Sequence, residues 1–262
     1  MKRTEISVNT ADFPTPFARV LQNARIFDSS CSPDARVLYI ERDGGLFLKR
    51  AAATTLEREA LLTRYFHKKG LSASVLDYRT ENGFDWLLTA RVPGEDCTHG
   101  DYLADSTRLC DLIATQLRAL HELSHADCPV QDRTADYVKT VESNHKKGSF
   151  DPAFLPPVMQ GMCQNEAFAY FESHKSLLQA DTLLHGDYCL PNILLDHWRF
   201  SGFIDLGNGG VGDRHIDLFW GAWTLGFNLG TDAYRDRFFD AYGRDKINPD
   251  LIDLVGVAEC FG

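Results

Sequence analysis

The chain has 262 residues, of which 44% are hydrophobic and 24% are charged, and its formal net charge is −10. This composition is ordinary for a globular protein and excludes disordered and fibrous classes, and the length allows one large domain or two lobes. The negative charge argues against a nucleic acid partner, whose phosphates attract Lys and Arg.

The seven cysteines are scattered and contain no CxxC pair, so neither a disulfide framework nor a zinc site is indicated. The N-terminal segment MKRTEISVNT lacks the apolar core of a signal peptide. No window approaches the roughly 18 apolar residues of a membrane span. We therefore expect a cytoplasmic protein with no membrane partner. We also expect a monomer or weak dimer.

The first part of the chain predicts a small sheet with one helix. Asp43-Gly44 and Asn82-Gly83 each separate two strand-like runs, and both dipeptides favour tight hairpin turns. Residues 54–66, between the hairpins, are rich in helix-forming residues and precede Gly70, a typical glycine stop. The predicted strands are 37–40 with 46–49, and 75–78 with 84–88.

Val92-Pro93-Gly94 interrupts this pattern and predicts a boundary between an N-terminal lobe, 1–92, and a largely helical C-terminal lobe, 93–262. A helix is predicted behind a cap at Ser106. Residues 127–157 contain several prolines and predict loop and short helix. The apolar face of the predicted helix comprises Leu109, Leu112, Ile113, Leu117 and Leu120.

The segment LLHGDYCLPNILLDHWRFSGFIDLGNGGVGDRHID, residues 183–217, carries the chemistry. Two short apolar runs in it predict a hairpin whose antiparallel register places Asn192 opposite Asp205. Asp187 lies on the loop that enters the first of these strands. Two carboxylates and one amide are therefore expected to converge.

Phosphoryl transfer requires such a set, because one carboxylate must orient the attacking hydroxyl while other oxygen ligands hold magnesium against the phosphates. We interpret Asp187 as the base or orienting group, and Asn192 and Asp205 as ligands of Mg²⁺. Asp and Asn are common in turns and caps, so each position alone would more often be structural. The spacing HGDxxxxN followed by ID favours a functional interpretation of all three. His185 is interpreted as a brace for the loop.

The motifs HGDYCLPNILLD and SGFIDLGNGGVGDRHID resemble the signature of aminoglycoside 3′-phosphotransferases, whose fold resembles that of protein kinases. The resemblance implies an α+β, bilobal fold with a small antiparallel-sheet N-lobe and a mainly helical C-lobe. It also implies transfer of the γ-phosphate of ATP to an aminoglycoside hydroxyl, at the 3′ position, conferring antibiotic resistance. In this family the matching residues are catalytic (Asp187) and magnesium-binding (Asn192 and Asp205).

The resemblance extends to the nucleotide site. LFLKR resembles the strand with the family's nucleotide lysine, which places Lys49 on the α- and β-phosphates. LEREALL resembles the helix whose second Glu pairs with that lysine, so that Glu59 is preferred over Glu57. A strand-borne ammonium that contacts phosphates needs such a partner to fix its direction.

Two further segments resemble parts of the nucleotide site. Ser32 falls where the family has a phosphate-contacting loop, although a plain turn before Pro33 would look the same. DWLLTARVPGEDC resembles the connector between lobes, which implies that backbone groups around Ala90 and Val92 bind the adenine edge.

The acceptor site departs from the family pattern. A polycationic aminoglycoside requires carboxylates that stay largely solvated until it binds. The family ends in a pattern like D-E-x-F, which assigns Glu259 and Phe261 to the acceptor but leaves Ala258 in place of the Asp. Asn208 also replaces an Arg that usually follows the glycine of GFIDLG.

Two alternatives stay open at this point. One is a kinase of the same fold that phosphorylates another small alcohol, such as choline, an amino sugar or a macrolide. The other is a non-catalytic relic that only binds nucleotide, against which the retention of both metal ligands and the base argues. A protein kinase is disfavoured, because HRD, DFG and APE sequences are missing.

Overall fold

A six-stranded antiparallel sheet dominates the N-terminal part of the computed structural model, which describes residues 3–262. The strands of the described residues are β1 Thr4–Ile6, β2 Arg25–Asp28, β3 Ala35–Glu41, β4 Leu46–Ala52, β5 Val75–Glu81, β6 Phe84–Ala90, β7 Glu95–Asp96, β8 Thr182–Leu184, β9 Ile193–Asp196, β10 Arg199–Phe203 and β11 Gly210–Gly212. The strand order of the six-stranded sheet is β1-β2-β3-β4-β6-β5.

The helices are distributed unevenly, because in the described residues two of them lie before residue 100 and the others begin at residue 100 or later. They are α1 Thr15–Leu21, α2 Glu57–Lys68, α3 Gly100–Leu103, α4 Ser106–His121, α5 Arg133–Lys146, α6 Gln164–His174, α7 Arg214–Leu229, α8 Arg235–Tyr242 and α9 Pro249–Glu259. Short 3₁₀ turns occur at Thr10–Asp12, Pro152–Phe154, Pro157–Met159, Lys175–Leu177, Leu190–Asn192, Leu206–Asn208, Asp232–Tyr234 and Arg244–Lys246.

Both hairpins predicted for the first sheet are confirmed, with Ile40 opposite Leu46 and Glu81 opposite Phe84. The turn of the second hairpin places Asn82 and Gly83 at φ values of 55° and 79°. Two consecutive positive φ values define the type I′ turn that matches strand twist. One face of the sheet is covered by α1, in a core that includes Phe17, Leu21, Ile40, Leu48 and Trp86.

A second, three-stranded sheet has the order β10-β9-β7 and holds the segment after β6 against the later hairpin. Gly94 is required there, because a Cβ atom at this position would lie 2.0 Å from the carbonyl oxygen of Leu195. The described residues up to Gly100 form one compact unit with Pro191–Gly207. The lobe boundary at residue 92 stays a prediction.

The second unit comprises Asp101–Leu190 and Asn208–Gly262, and it is mainly helical. The predicted cap of α4 at Ser106 is wrong, because the Asp105 carboxylate accepts the Arg108 N–H at 3.1 Å. Within residues 3–262, no helix combines the length and apolar character needed to cross a membrane.

The prediction of loop and short helix for residues 127–157 is also wrong, because α5 is a helix of 14 residues. Its sequence is polar, and it buries only a narrow face that includes Tyr137 and Val141. The prolines of this region flank the helix and do not interrupt it, and Asp132 caps its first turn. The four-residue spacing of Tyr137 and Val141 was the available signal.

Candidate active site

Three of the predicted site residues meet around the ammonium of Lys49. The Nζ atom of Lys49, on β4, lies 2.8 Å from Glu59 Oε2 on α2 and 2.5 Å from Asp205 Oδ1. The side chains of Lys49 and Glu59 are 20% and 12% exposed, whereas that of Asp205 is 50% exposed. The expected pairing of Lys49 with Glu59 is therefore present, and Asp205 joins it.

The charge balance of this cluster favours an additional cation. Burial by itself would lower the pKa of Lys49, but the Glu59 and Asp205 carboxylates outweigh it and raise the pKa above its ordinary value. The ammonium therefore stays charged at neutral pH. Burial also raises the pKa of Glu59, and the adjacent ammonium opposes that shift. With both carboxyl groups ionised the cluster has one negative charge in excess, and the half-exposed Asp205 is the carboxylate that solvent ions can reach.

The second predicted metal ligand lies at the same end of the β9–β10 hairpin as Asp205. Asn192 is buried, and its carbonyl oxygen accepts the Ile204 N–H at 3.1 Å. The predicted register is wrong by one residue, because Asn192 lies opposite Ile204. The two-residue turn and a single bulge between Phe200 and Gly202 fix this register. Asp205 follows with a left-handed φ of 57°, which takes it out of the strand alternation.

The loop that carries Asp187 is held by a buried carboxylate on α7. Asp217 accepts the backbone N–H groups of His185 and Gly186, both at 2.7 Å. His185 is fully buried, and its Nδ1 accepts the Asp187 N–H at 3.3 Å. The HGD turn is therefore fixed from two directions. The sequence pattern alone assigns no role to Asp217, although a carboxylate between Ile216 and Leu218 in an apolar helix indicates a buried polar partner.

A buried histidine supports Asp217 from α4. The Nε2 atom of His121 lies 3.2 Å from Asp217 Oδ2, and its Nδ1 atom lies 2.8 Å from the Tyr242 hydroxyl. Burial lowers the pKa of His121 despite the neighbouring carboxylate, so that the ring is neutral at pH 7. A neutral ring satisfies both contacts when Nε2–H donates to Asp217 and Nδ1 accepts from Tyr242.

Replacing Asp217 with Asn is expected to lower the free energy of unfolding by about 2–4 kcal/mol, because the buried N–H of His185 and the half-buried N–H of Gly186 lose a charged acceptor. Urea denaturation at pH 7 measures this loss. Asp240→Asn is a matched control, since the Asp240 side chain is 66% exposed and pairs with Arg244 on the surface. Equal stability of the Asp217 and Asp240 variants would contradict the bracing role.

The C-terminal carboxylate lies in a different environment from the one expected. Glu259 is only 7% exposed, and its Oε1 accepts from the Tyr137 hydroxyl at 2.8 Å and from the Trp220 indole at 3.2 Å. The expectation of a largely solvated carboxylate is therefore wrong for Glu259, because the last turn of α9 directs this side chain inward. Burial raises the pKa of Glu259 to about 7, although the hydrogen bonds from Tyr137 and Trp220 oppose the shift.

Glu259 should make stability depend on pH. Its folded-state pKa of about 7 exceeds the ordinary 4.5, so the folded state retains a proton that the unfolded state loses. Stability from this group is therefore lost as pH rises from 4.5 to 7, by about 3 kcal/mol in total. The free energy of unfolding, measured by urea denaturation, should rise for Glu259→Gln relative to the wild type as the pH increases from 4.5 to 7. The exposed Glu57→Gln control should follow the wild type, and parallel curves for all three proteins would contradict the assignment.

The remaining predicted residues are engaged within the chain. Phe261 is fully buried and packs edge-on against His145, so its role in acceptor binding stays a prediction. The Ser32 hydroxyl accepts the Asp34 N–H at 3.1 Å, which is the plain turn considered above. A phosphate contact by Ser32 also stays a prediction.

The connector after β6 has defined backbone partners. The Ala90 N–H donates to Ser74 O at 3.0 Å and is therefore already engaged. The Ala90 carbonyl oxygen is the group of this residue that we expect to accept a hydrogen bond from adenine. Val92 is buried, and the Arg91 guanidinium donates to Gly94 O at 3.0 Å across the turn. Adenine recognition by Ala90 and Val92 stays a prediction.

A family model described as "Phosphotransferase enzyme family" matches residues 24–253. The chain belongs to this family. A relative of this phosphotransferase, the "Probable aminoglycoside 3'-phosphotransferase" of Lactococcus lactis subsp. lactis, is 50% identical over 98% of each chain. The "Streptomycin 3''-kinase" of Streptomyces griseus is 33% identical and covers 73% of this chain and 72% of its own.

Solved structures confirm the kinase-like α+β fold of this phosphotransferase. Aminoglycoside phosphotransferase APH(3'')-Id from Streptomyces rimosus has a TM-score of 0.75 and 24% identity, with 94% of this chain and 97% of that chain covered. The same protein has been solved in complex with ADP and streptomycin. The family resemblance predicted from the sequence is confirmed, and so is the prediction of a phosphotransferase enzyme.

Proposed function

We propose that this phosphotransferase transfers the γ-phosphate of ATP to the 3′-hydroxyl of an aminoglycoside, and thereby confers antibiotic resistance. The relative at 50% identity over 98% of the chain supports this substrate and position. The structural observation that carries the proposal is the charged Lys49 held between Glu59 and Asp205 at 2.8 and 2.5 Å. The transferred phosphate adds negative charge to a polycation, which weakens binding that depends on the positive charge of the aminoglycoside.

On the nucleotide side, Lys49 binds the α- and β-phosphates, and Glu59 keeps the ammonium directed at them. Backbone groups of Ala90 and Val92 bind the adenine edge, and Ser32 contacts a phosphate. The raised pKa of Lys49, which the two carboxylates cause against the effect of burial, supports this role because the ammonium must be charged.

Asn192 and Asp205 fit a magnesium ion. Their amide and carboxylate oxygens are hard ligands of the kind Mg²⁺ prefers, and the excess negative charge around Lys49 favours a cation at the half-exposed Asp205. Bound there, Mg²⁺ would neutralise charge on the nucleotide phosphates. Lys49 would then exchange its contact with Asp205 for contacts with phosphate oxygens.

On the acceptor side, Asp187 orients the attacking hydroxyl and accepts its proton. A bond forms between the acceptor oxygen and the γ-phosphorus, the bond from that phosphorus to the bridging oxygen breaks, and ADP leaves with the bond's electron pair. The hydrogen bonds from His185 and Gly186 to Asp217 support this role, because they fix the backbone that presents Asp187.

A second candidate acceptor is an alcohol with an apolar face, such as a macrolide. The observation that favours it is an aromatic surface on α7, where Trp223 stacks on Phe227 at 4.9 Å and the Phe227 side chain is 71% exposed. Trp220, which contacts Trp223, also donates to Glu259. Exposed aromatic rings would favour an acceptor with an apolar face.

ADP release measured with purified protein, ATP and magnesium distinguishes the candidates. We expect turnover with kanamycin and neomycin, and none with choline or a macrolide. Turnover confined to the macrolide would replace the proposed acceptor by the second candidate. No ADP release with any acceptor, including streptomycin and hygromycin, would favour the non-catalytic relic.

A further inference from the structure

Arg133 places a guanidinium on Asn208. It is the first residue of α5, and its Nε donates to the Asn208 carbonyl oxygen at 2.8 Å, while its Nη2 donates to Asn208 Oδ1 at 3.4 Å. The Arg133 side chain is half-buried. A guanidinium remains charged at every physiological pH. Position 208 itself is neutral, so the positive charge at this point comes from α5.

The same carbonyl oxygen touches the catalytic loop. Gly186 has a φ of 84°, and a Cβ atom there would lie 1.8 Å from the Asn208 oxygen. Gly186 directly precedes Asp187. The Asn208 carbonyl oxygen therefore contacts Gly186 on one side and the Arg133 guanidinium on the other. Only this carbonyl group lies between the positive charge of Arg133 and the backbone that leads into Asp187.

A third residue responds to both side chains. Burial raises the pKa of Glu259 to about 7, and among the smaller effects Arg133 lowers it while Asp187 raises it. Arg133 also lowers the pKa of Tyr137, against the larger effect of burial. The charges of Arg133 and Asp187 thus act on the same small region of the second unit.

We propose that Arg133 supplies a fixed positive charge beside Asp187 that stabilises the phosphoryl group during transfer. The inference rests on the proposed function. Negative charge on the phosphoryl oxygens must be balanced in the transition state, and a preorganised cation does this without reorganisation. The hydrogen bonds to Asn208 hold the guanidinium in place, and through Gly186 they tie it to the loop that it serves.

Two substitutions separate charge from bracing. Arg133→Gln keeps an N–H donor for the Asn208 carbonyl but removes the charge, whereas Arg133→Lys keeps the charge and loses the forked geometry. With kanamycin as acceptor, kcat of the Gln variant should fall by about 10–100-fold, with the KM for ATP changed by less than about threefold. The Lys variant should retain more of the wild-type kcat than the Gln variant does.

A double variant tests whether a positive charge at position 208 can replace the one that Arg133 supplies. Arg133→Gln combined with Asn208→Arg should recover at least about tenfold of the lost kcat. Arg237→Gln is the matched control, because Arg237 forms a bidentate pair with Asp111 elsewhere on the second unit. Its kcat should equal that of the wild type.

Thermal denaturation measures the folded fraction of each variant at the assay temperature. The kcat values are then compared per folded protein. Gln and Lys variants with the same kcat would overturn the inference, and so would a double variant no better than Arg133→Gln. A wild-type protein inactive on every aminoglycoside would instead overturn the proposed function, which keeps the two failures distinct.

Discussion

Replacing Asp187 with Asn is expected to lower kcat by about 10³-fold, while the affinity for ATP changes little. The amide keeps the size of the side chain but cannot accept the proton of the attacking hydroxyl, and general base catalysis contributes about 10²–10⁴-fold. Since we assign Asp187 to the acceptor, nucleotide binding should be preserved. Steady-state ADP release gives kcat, and calorimetric titration with a non-hydrolysable ATP analogue gives the affinity.

The control for this variant is Asp240→Asn, which changes the same functional group on the surface of the second unit. It should retain wild-type kcat. An Asp187→Asn protein that turns over within about threefold of the wild type would show that Asp187 is not the base.

Replacing Asp205 with Asn should also lower kcat, by about 10²-fold or more, but for a different reason. The amide retains an oxygen ligand and loses the charge, so magnesium should bind more weakly and the magnesium concentration for half-maximal rate should rise. Lys49 also loses one of its two carboxylate partners, which lie at 2.8 and 2.5 Å. Rates measured across a magnesium titration separate this metal effect from the loss expected at Asp187.

Asp196→Asn is the matched control, because Asp196 ends a strand of the same hairpin and its side chain is 55% exposed. Its magnesium dependence should match that of the wild type. If Asp205→Asn has an unchanged magnesium requirement, Asp205 is not a metal ligand.

The parts of the fold that the sequence predicts correctly are those in which local chemistry decides the structure. Asn82-Gly83 adopts the two positive φ values that a type I′ turn needs, and Gly70 follows α2 with a φ of 73°. The Lys49–Glu59 pair was also predictable, because the family motifs assign both residues to one site.

The errors arise where tertiary packing decides. The tight turn at the end of β9 would by itself pair Asn192 with Phe203, and the single bulge after Phe200 moves the pairing to Ile204, one residue short of the expected Asp205. α5 is polar over most of its surface, so its narrow buried face was hidden among flanking prolines. Glu259 is buried because Tyr137 and Trp220, distant in sequence, provide its hydrogen bonds.

Asp217 is the clearest example of a site residue whose role the sequence does not predict. The Asp217 carboxylate fixes the HGD turn by accepting hydrogen bonds from the backbone of His185 and Gly186, and the ring of His121 supports it. All of these partners are distant from Asp217 in the sequence. A single buried Asp in an apolar helix indicates that such partners exist, but only the fold identifies them.

The position of the transferred phosphate decides whether this phosphotransferase acts on the 3′-hydroxyl of an aminoglycoside. Wild-type protein is incubated with ATP, magnesium and either kanamycin or its 3′-deoxy analogue, and the products are analysed by mass spectrometry and by proton–phosphorus NMR. We expect kanamycin to gain one phosphate, coupled to the proton at C3′, and the analogue to gain none. Unmodified kanamycin, or equal phosphorylation of both compounds, would contradict this expectation.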